Sequence, residues 1–152
     1  MKKIIITLII TLFGLQSGIA QVAKNNSADN IVGTYEGVQE GYKFRAKIEK
    51  SAPSTYRAQV IWMEHDRDAN GHKLLDSKNP DKALRSTPCD RIELISGLTY
   101  DAKKQHWSGA KIYDPLRGIR ANVRCWFQNE SELHLRGSLL GISETVVWKK
   151  IK

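Results

Sequence analysis

Apolar and polar residues alternate in several long stretches of this chain beyond residue 40. In the clearest stretch every second residue is apolar, namely Ile119, Ala121, Val123, Cys125 and Phe127. Successive side chains of a β-strand point to opposite faces, so this period predicts a strand with one buried and one wet face. The same pattern covers residues 42–49, 56–63 and 132–139, and shorter strands are predicted at 31–37, 91–96, 105–113 and 144–150.

Most connections between these segments are short and contain turn-forming residues, as at Gln39-Glu40-Gly41 and Asn129-Glu130. Short antiparallel strands at regular spacing are typical of a sandwich or an up-and-down barrel. We favour the barrel, because neighbouring hairpins suffice to build it and no long crossover is visible. The prediction is an all-β fold: a single antiparallel up-and-down β-barrel of about eight strands over residues 31–152.

The first twenty residues have the three parts of a secretory signal peptide. A basic start, Met1-Lys2-Lys3, precedes an apolar run at 4–15, and small residues at 18–20 precede a cleavage point. The run is too short to span a bilayer, and no cysteine follows it for a lipid anchor. We therefore expect an exported, periplasmic or extracellular protein that is not transmembrane after signal cleavage, with a flexible leader at 21–30.

Length and charge restrict the function further. A chain of 152 residues is one domain, and its formal charge of +8 falls to +6 when the two lysines of the signal peptide are removed. The basic residues are spread singly along the strands, which is typical of a solvated surface. Together with the export signal, this argues against a nucleic-acid partner.

Two cysteines remain, Cys89 and Cys125. An even number in an exported chain predicts one disulfide, which would close a loop of about 37 residues and stabilise the fold by about 3–4 kcal/mol. A catalytic or metal role is less favoured, because there is no CxxC motif and no histidine at ligand spacing.

One connection, residues 64–88, is much longer than the others and strongly polar. Asn79-Pro80-Asp81 is a good start for a short helical turn, and Pro88 ends the segment. Loops of this length in compact domains are often functional, and we expect an ordered lid. Its Asp66–Gly71 stretch, DRDANG, resembles a calcium loop, but Ser77 stands where a bidentate carboxylate is needed. We predict no metal site, no cofactor and no catalytic residue set.

Several aromatic residues fall on the apolar phase of their strands, among them Trp62, Tyr42 and Phe44. They could form a packed core or line a cavity open at one end, since eight strands enclose room for one small ligand. Trp107, after a hairpin, is expected near the rim, and Trp126, on the polar phase, on the outer face.

The stretch Tyr113-Asp114-Pro115-Leu116-Arg117-Gly118 has the chemistry of a hairpin corner. Asp suits the first turn position, Pro presets φ at the second, and Gly118 supplies a positive φ as the next strand begins. The turn does not account for Tyr113 or Arg117.

With these residues placed, the chain resembles the "domain of unknown function 2147" family of small exported bacterial proteins. The resemblance is carried by three motifs: Asn79-Pro80-Asp81 with Leu84-Arg85 and Pro88; Trp107-x-Gly109-x-Lys111-Ile112-Tyr113-Asp114-Pro115-x-x-Gly118; and Leu133-x-Leu135-Arg136-Gly137 with Trp148.

The resemblance implies a lipocalin-like barrel in the bacterial envelope or outside the cell, and no established activity. In lipocalin-like barrels an arginine near the end stacks on a tryptophan and closes the base. Here Gly33-Thr34-Tyr35 has tyrosine where tryptophan is usual and Trp148-Lys149-Lys150 has lysine where arginine is usual, so the resemblance implies a weaker closure. The resemblance also places Arg85 in the first of these motifs and Asp114 in the second. An ion pair between them would tie the long loop to the hairpin corner.

The leading hypothesis is an exported binding protein that holds a small apolar or amphipathic ligand in the barrel, under a lid at 64–88. Its candidate ligand-binding residues are Trp62, Arg85, Trp107, Tyr113 and Asp114. The alternative is an envelope interaction protein that contacts a partner through Trp126, Arg120 and Arg124 on its outer face. A small enzyme, with His106, Asp114 and Arg85 meeting in one pocket, is the least favoured.

Overall fold

A computed structural model describes residues 23–152, so the predicted signal peptide and its cleavage point lie outside the described residues. In the described part, eight antiparallel strands close into a barrel in sequence order, which confirms the predicted fold. The strands are β1 (Gly33–Gln39), β2 (Tyr42–Ala52), β3 (Thr55–Met63), β4 (Glu93–Asp101), β5 (His106–Asp114), β6 (Ile119–Phe127), β7 (Glu132–Leu139) and β8 (Ile142–Lys150).

The strand register fixes which side chains enter the barrel. Inward residues pair with inward residues across each ladder, as Trp107 does with Cys125 and Cys125 with Leu135. One end of the barrel, here called the base, is filled by large side chains. Its fully buried members include Tyr35, Tyr56, Trp107, Phe127, Leu133 and Leu135.

The chain before β1 closes the base. Two 3₁₀ turns, Ala23–Asn25 and Ala28–Ile31, lie across it and are held by hydrogen bonds from the core aromatics. The Trp107 indole N–H donates to the Ala28 carbonyl at 2.9 Å, and the Tyr35 hydroxyl donates to the Ile31 carbonyl at 2.7 Å. Residues 23–30, expected as part of a loose leader, are instead tied to the barrel because they satisfy these buried donors.

Tyrosine and lysine take part in the closure of the base. The Lys150 ammonium donates to the Asn30 carbonyl at 2.8 Å and lies 5.8 Å from the ring centres of both Tyr35 and Phe127. Burial, with a contribution from Lys24, lowers the pKa of Lys150. Trp148 is buried beside Tyr35, with their ring centres 6.4 Å apart.

The ladder between the first and last strands is short. β1 and β8 pair only at Tyr35–Lys150 and Glu36–Lys149. β7 and β8, in contrast, pair along their whole length, from Glu132–Lys149 to Leu139–Ile142. The barrel is therefore joined at the base, and β1 and β8 lose their pairing toward the opposite end, here called the mouth.

Both cysteines carry free thiols in the described structure, so the predicted disulfide is not formed. Cys125 is fully buried beside Trp107 near the base. Cys89 lies in a 3₁₀ turn, Cys89–Arg91, just before the start of β4. That end of β4 runs beside the far end of β5, about 20 Å along the strand from Trp107. A disulfide requires Cα atoms within about 7 Å, and these two thiols are at opposite ends of the barrel.

Candidate functional site

The inward side chains near the mouth are apolar but partly exposed. Val146 lies opposite Leu135, whose side chain is buried, yet Val146 itself is 40% exposed. Ile142 and Leu139, paired with each other, are 75% and 40% exposed. Because these apolar side chains face the barrel axis, their exposure indicates that the barrel is open toward the mouth. Other inward residues at this end are Tyr42, Phe44, Met63, Ile112, Ile119, Ala121 and Gly137.

Small residues widen the inner wall near the mouth. Ala121 and Gly137 face inward on β6 and β7, next to Ile112 on β5. A Cβ added to Gly137 would meet the Ala121 Cβ at 3.5 Å and the Ile112 Cγ2 at 3.6 Å, which are ordinary contacts. The wall therefore tolerates extra atoms here, unlike the packed base.

A polar bridge crosses the mouth above these apolar residues. The Arg117 guanidinium lies 3.6 Å from the Asp114 carboxylate on β5 and 3.4 Å from the Glu144 carboxylate on β8. The Gln39 amide, from β1, donates to the other Asp114 oxygen at 3.4 Å. Asp114, Glu144 and Gln39 occupy inward positions, so three strands contribute polar groups to one rim.

The hairpin corner at 114–118 is built as predicted. The Asp114 carboxylate accepts the Leu116 backbone N–H at 2.9 Å, and the Gly118 N–H donates to the Asp114 carbonyl at 2.8 Å. Gly118 has φ +67°, and a Cβ there would lie 2.3 Å from the Lys78 carbonyl oxygen. The turn requires glycine both for its φ and for its close contact with the long loop.

Tyr113 points outward, since its neighbours Ile112 and Asp114 face the interior. It is nevertheless only 4% exposed, because the long loop covers it. Its hydroxyl donates to the Asp76 carboxylate at 2.6 Å, and the other Asp76 oxygen accepts the Asn79 side-chain amide at 2.7 Å. Burial first, and then the Asp76 carboxylate, raise the pKa of Tyr113 well above its usual range. Tyr113 therefore anchors the loop and does not line the interior.

The long loop lies against the outer face of the barrel near the 114–118 corner. It contains one short 3₁₀ turn, Lys82–Leu84, capped by the Asp81 side chain. The loop's Lys78 ammonium donates to the Leu116 carbonyl at 2.8 Å. The Arg85 Nε donates to the Asn79 carbonyl at 2.8 Å, so Arg85 stabilises the loop itself. The expected Arg85–Asp114 ion pair is absent, and Arg117 is the partner of Asp114.

The two tryptophans predicted to bind ligand lie elsewhere. Trp62 is 40% exposed on the outer face, where the Arg45 guanidinium lies 4.9 Å from its ring centre. A β-bulge at Ile61 reverses the alternation, because Val60 pairs with Ala46 but Trp62 pairs with Arg45. Trp107 is fully buried in the base and is far from the mouth, although the sequence placed it near the rim.

The residues of the enzyme hypothesis do not meet. His106 begins β5 and Asp114 ends it, so about 27 Å of strand separates them. The DRDANG stretch is a tight turn in which the Asp68 carboxylate accepts the N–H groups of Asn70 and His72, both at 2.9 Å. Over residues 23–152, no three His, Cys, Asp or Glu side chains are grouped to hold a metal.

The sequence did not predict three residues of the rim: Gln39, Arg117 as a bridging group, and Glu144. A signal existed for Glu144. In β8 it occupies the apolar phase, between Ile142 and Val146, where a charged residue is out of pattern. Asp76, three residues before Asn79, also passed unnoticed because a lone acid in a polar loop has no distinguishing pattern.

Residues 33–150 match the family described as "Uncharacterized protein conserved in bacteria (DUF2147)". The match covers all eight strands, the long loop and the hairpin corner. The chain belongs to this family. The family signatures now have structural roles, because Asn79 and Tyr113 meet at Asp76, and Gly118 packs on the loop.

A solved structure supports the same fold. Protein HP1028 from the human pathogen Helicobacter pylori, described as belonging to the lipocalin family, is 22% identical. The alignment covers 80% of this chain and 82% of that protein, with a TM-score of 0.63, so this DUF2147 protein shares the lipocalin-like fold. No curated protein matches the chain. Among the described residues, no helix has the length and apolar character needed to cross a membrane.

Proposed function

We propose that this DUF2147 protein is an exported bacterial protein that binds a small apolar or amphipathic molecule at the open end of its barrel. The observation that carries the proposal is the exposure of inward apolar side chains at the mouth, such as Val146 and Ile142. Exposed apolar surface that faces inward costs free energy in water and is covered when a ligand enters.

The rim favours an amphipathic ligand. The apolar wall would hold a hydrocarbon part, and Asp114, Arg117 and Glu144 would lie at the level of a polar head. Arg117 is 63% exposed and Glu144 is 65% exposed, so their ion pair contributes little to stability and can open at small cost. The long loop, expected as a lid over the ligand, instead supports the corner that carries Arg117.

Export is the second part of the proposal, and the signal-peptide pattern of residues 1–20 supports it. Expression of the full chain, followed by N-terminal sequencing of the periplasmic and secreted fractions, tests it. A product that begins at Gln21 is expected. An uncut chain confined to the cytoplasm would contradict export and would leave the binding proposal standing.

Two neighbouring valines test the binding site. Val146 points inward opposite Leu135, and Val147 points outward opposite His134, with similar exposures of 40% and 45%. We expect purified protein to bind N-phenyl-1-naphthylamine with a rise in fluorescence, and a long-chain fatty acid to displace it. Val146→Trp should weaken binding at least about tenfold by filling the mouth, while Val147→Trp should leave it unchanged.

Circular dichroism of both variants controls for folding. Equal affinity of the two variants for the probe, with both folded, would show that the probe binds elsewhere. Native mass spectrometry of the purified protein would reveal a retained ligand, and that ligand would be identified after extraction into organic solvent.

A further inference from the structure

A second candidate site lies on the outer face of β6, β7 and β8. Arg124 on β6 and Arg136 on β7 are directly opposite each other in the ladder, and both side chains point outward. Like charges at directly opposed positions destabilise a sheet. The repulsion between the two guanidinium groups therefore lowers the stability of the free protein, and a bound anion would relieve it.

The two arginines border a groove of about 420 Å³ that also contains hydroxyl and amide groups. Asn122 is paired with Ser138, and Ser138 with Ser143, in the adjoining row of the sheet. The Ser138 and Ser143 hydroxyls are hydrogen-bonded to each other at 2.9 Å, which uses one of their two O–H donors and leaves the other to a ligand. The groove is lined by Asn122, Val123, Arg124, Arg136, Ser138 and Ser143.

Neither arginine is neutralised within the part of the chain that the structure describes. Arg45 and Arg57, on the opposite side of the barrel, have carboxylate partners, with Arg45 lying 3.4 Å from Glu36 and Arg57 lying 2.6 Å from Glu49. Arg124 instead stacks over Trp126, with 5.2 Å between its guanidinium carbon and the ring centre. This stacking holds Arg124 in place without consuming its charge.

We propose that this groove binds a phosphate group. Two guanidinium groups on adjacent strands offer paired N–H donors to a tetrahedral oxyanion, and one serine hydroxyl and the Asn122 amide supply neutral donors beside them. The phosphate could belong to a free phosphate ester or to a lipid headgroup, and the two sources present the same chemistry to the site. This site is independent of the interior ligand, because its polar side chains, unlike that of Val123, point away from the barrel axis.

The test uses the Arg124→Gln/Arg136→Gln double variant. Its control is Arg45→Gln/Arg57→Gln, which removes the same charge from the opposite side. Inorganic phosphate is titrated at constant ionic strength, with chloride as the balancing salt, and followed by NMR of backbone amides and arginine side chains. We expect saturable shifts at residues 122–124 and 136–143. We also expect affinity to fall about tenfold or more in the Arg124/Arg136 variant and to persist in the control.

Vesicles distinguish the sources. Binding to phosphatidylglycerol vesicles, but not to phosphatidylcholine vesicles, that requires Arg124 and Arg136 would assign a lipid headgroup. Saturable binding of inorganic phosphate, without binding to either kind of vesicle, would assign a soluble ester. The proposal is overturned if neither phosphate nor vesicles bind saturably, or if both double variants lose binding equally, since that would reflect net charge alone.

Discussion

A hydrogen bond between buried groups joins the long loop to the barrel wall. The Tyr113 hydroxyl donates to Asp76, and both residues are almost fully buried. The second Asp76 oxygen is already used by Asn79, so the carboxylate depends on both donors. Asn79 and Tyr113, which belong to the motifs that carried the resemblance, therefore both bind Asp76, an acid that lies outside those motifs.

Tyr113→Phe removes the donor and leaves a buried carboxylate oxygen without its partner. We expect the free energy of unfolding to fall by about 1–3 kcal/mol, as for other buried groups left unsatisfied. Urea denaturation measures this change. Tyr42→Phe is the matched control, because Tyr42 is 52% exposed and should change stability little. Equal effects of the two substitutions would contradict the anchoring role of Tyr113.

Tyr56 provides a prediction about pH. Burial, followed by its hydrogen bond to Asp29, raises the pKa of Tyr56 from 10.0 to about 12. A folded-state pKa above the unfolded value favours the neutral hydroxyl in the fold. The resulting stability is fully present below pH 10 and is lost as the pH rises through about 12.

The free energy of unfolding of the wild-type protein should therefore decline between pH 10 and about 12, and less steeply in Tyr56→Phe. Urea titrations at several alkaline pH values measure the slopes, and tyrosinate absorbance follows the ionisation. Identical slopes for the two proteins would show that Tyr56 ionises in the fold at its ordinary pKa.

Between elements, the long loop packs closely against the β5–β6 corner. The Gly118 Cα lies against the Lys78 carbonyl, with room for hydrogen but none for a methyl group. Gly71 has a similar positive φ, +81° against +67°, but no atom within 4 Å of an added Cβ. Alanine substitutions at the two glycines therefore separate the free-energy cost of the left-handed backbone from the cost of the steric clash with the loop.

Gly71→Ala should lower the free energy of unfolding by about 1 kcal/mol through its left-handed backbone alone. Gly118→Ala should cost more, because the loop must move away from the corner, and trypsin should then cut faster after Lys78 and Lys82. Urea denaturation and limited proteolysis check both variants. If they lose the same stability and resist trypsin equally, the loop does not depend on this contact.

The period of two residues predicted the strands and their number, and the short connections between them predicted the barrel. It failed for Trp62, because a bulge at Ile61 inserts one residue and reverses the faces, and nothing in the local pattern marks a bulge. It could not place Trp107, since the base is defined by the packing of residues 23–31 on distant strands. The ion-pair partner of Asp114 was also predicted wrongly. Arg117, which lies in the same turn as Asp114, binds its carboxylate, and Arg85 of the long loop does not.

Across the whole molecule, the two ends of the barrel differ in how well their side chains are packed and their strands are paired. The base has fully buried aromatics, capping 3₁₀ turns and the β1–β8 pairs at Tyr35 and Glu36. The mouth has exposed inward side chains, a rim of exposed ion pairs and no β1–β8 pairs in the described register. Backbone groups of β8 that face β1 at this end have no ladder partner there. Local unfolding should thus be frequent at the mouth and rare at the base.

Hydrogen exchange tests this gradient. Alternate amides of residues 142–147 should exchange rapidly, because one edge of β8 lacks the β1 ladder there, while those of Cys125, Leu133 and Leu135 should be protected. A ligand bound in the interior should slow exchange at the mouth and leave the base unchanged, since only the mouth has surface left to bury. Uniform protection along β8 in the free protein would instead show that β1 and β8 are joined over their whole length, and it would contradict this gradient.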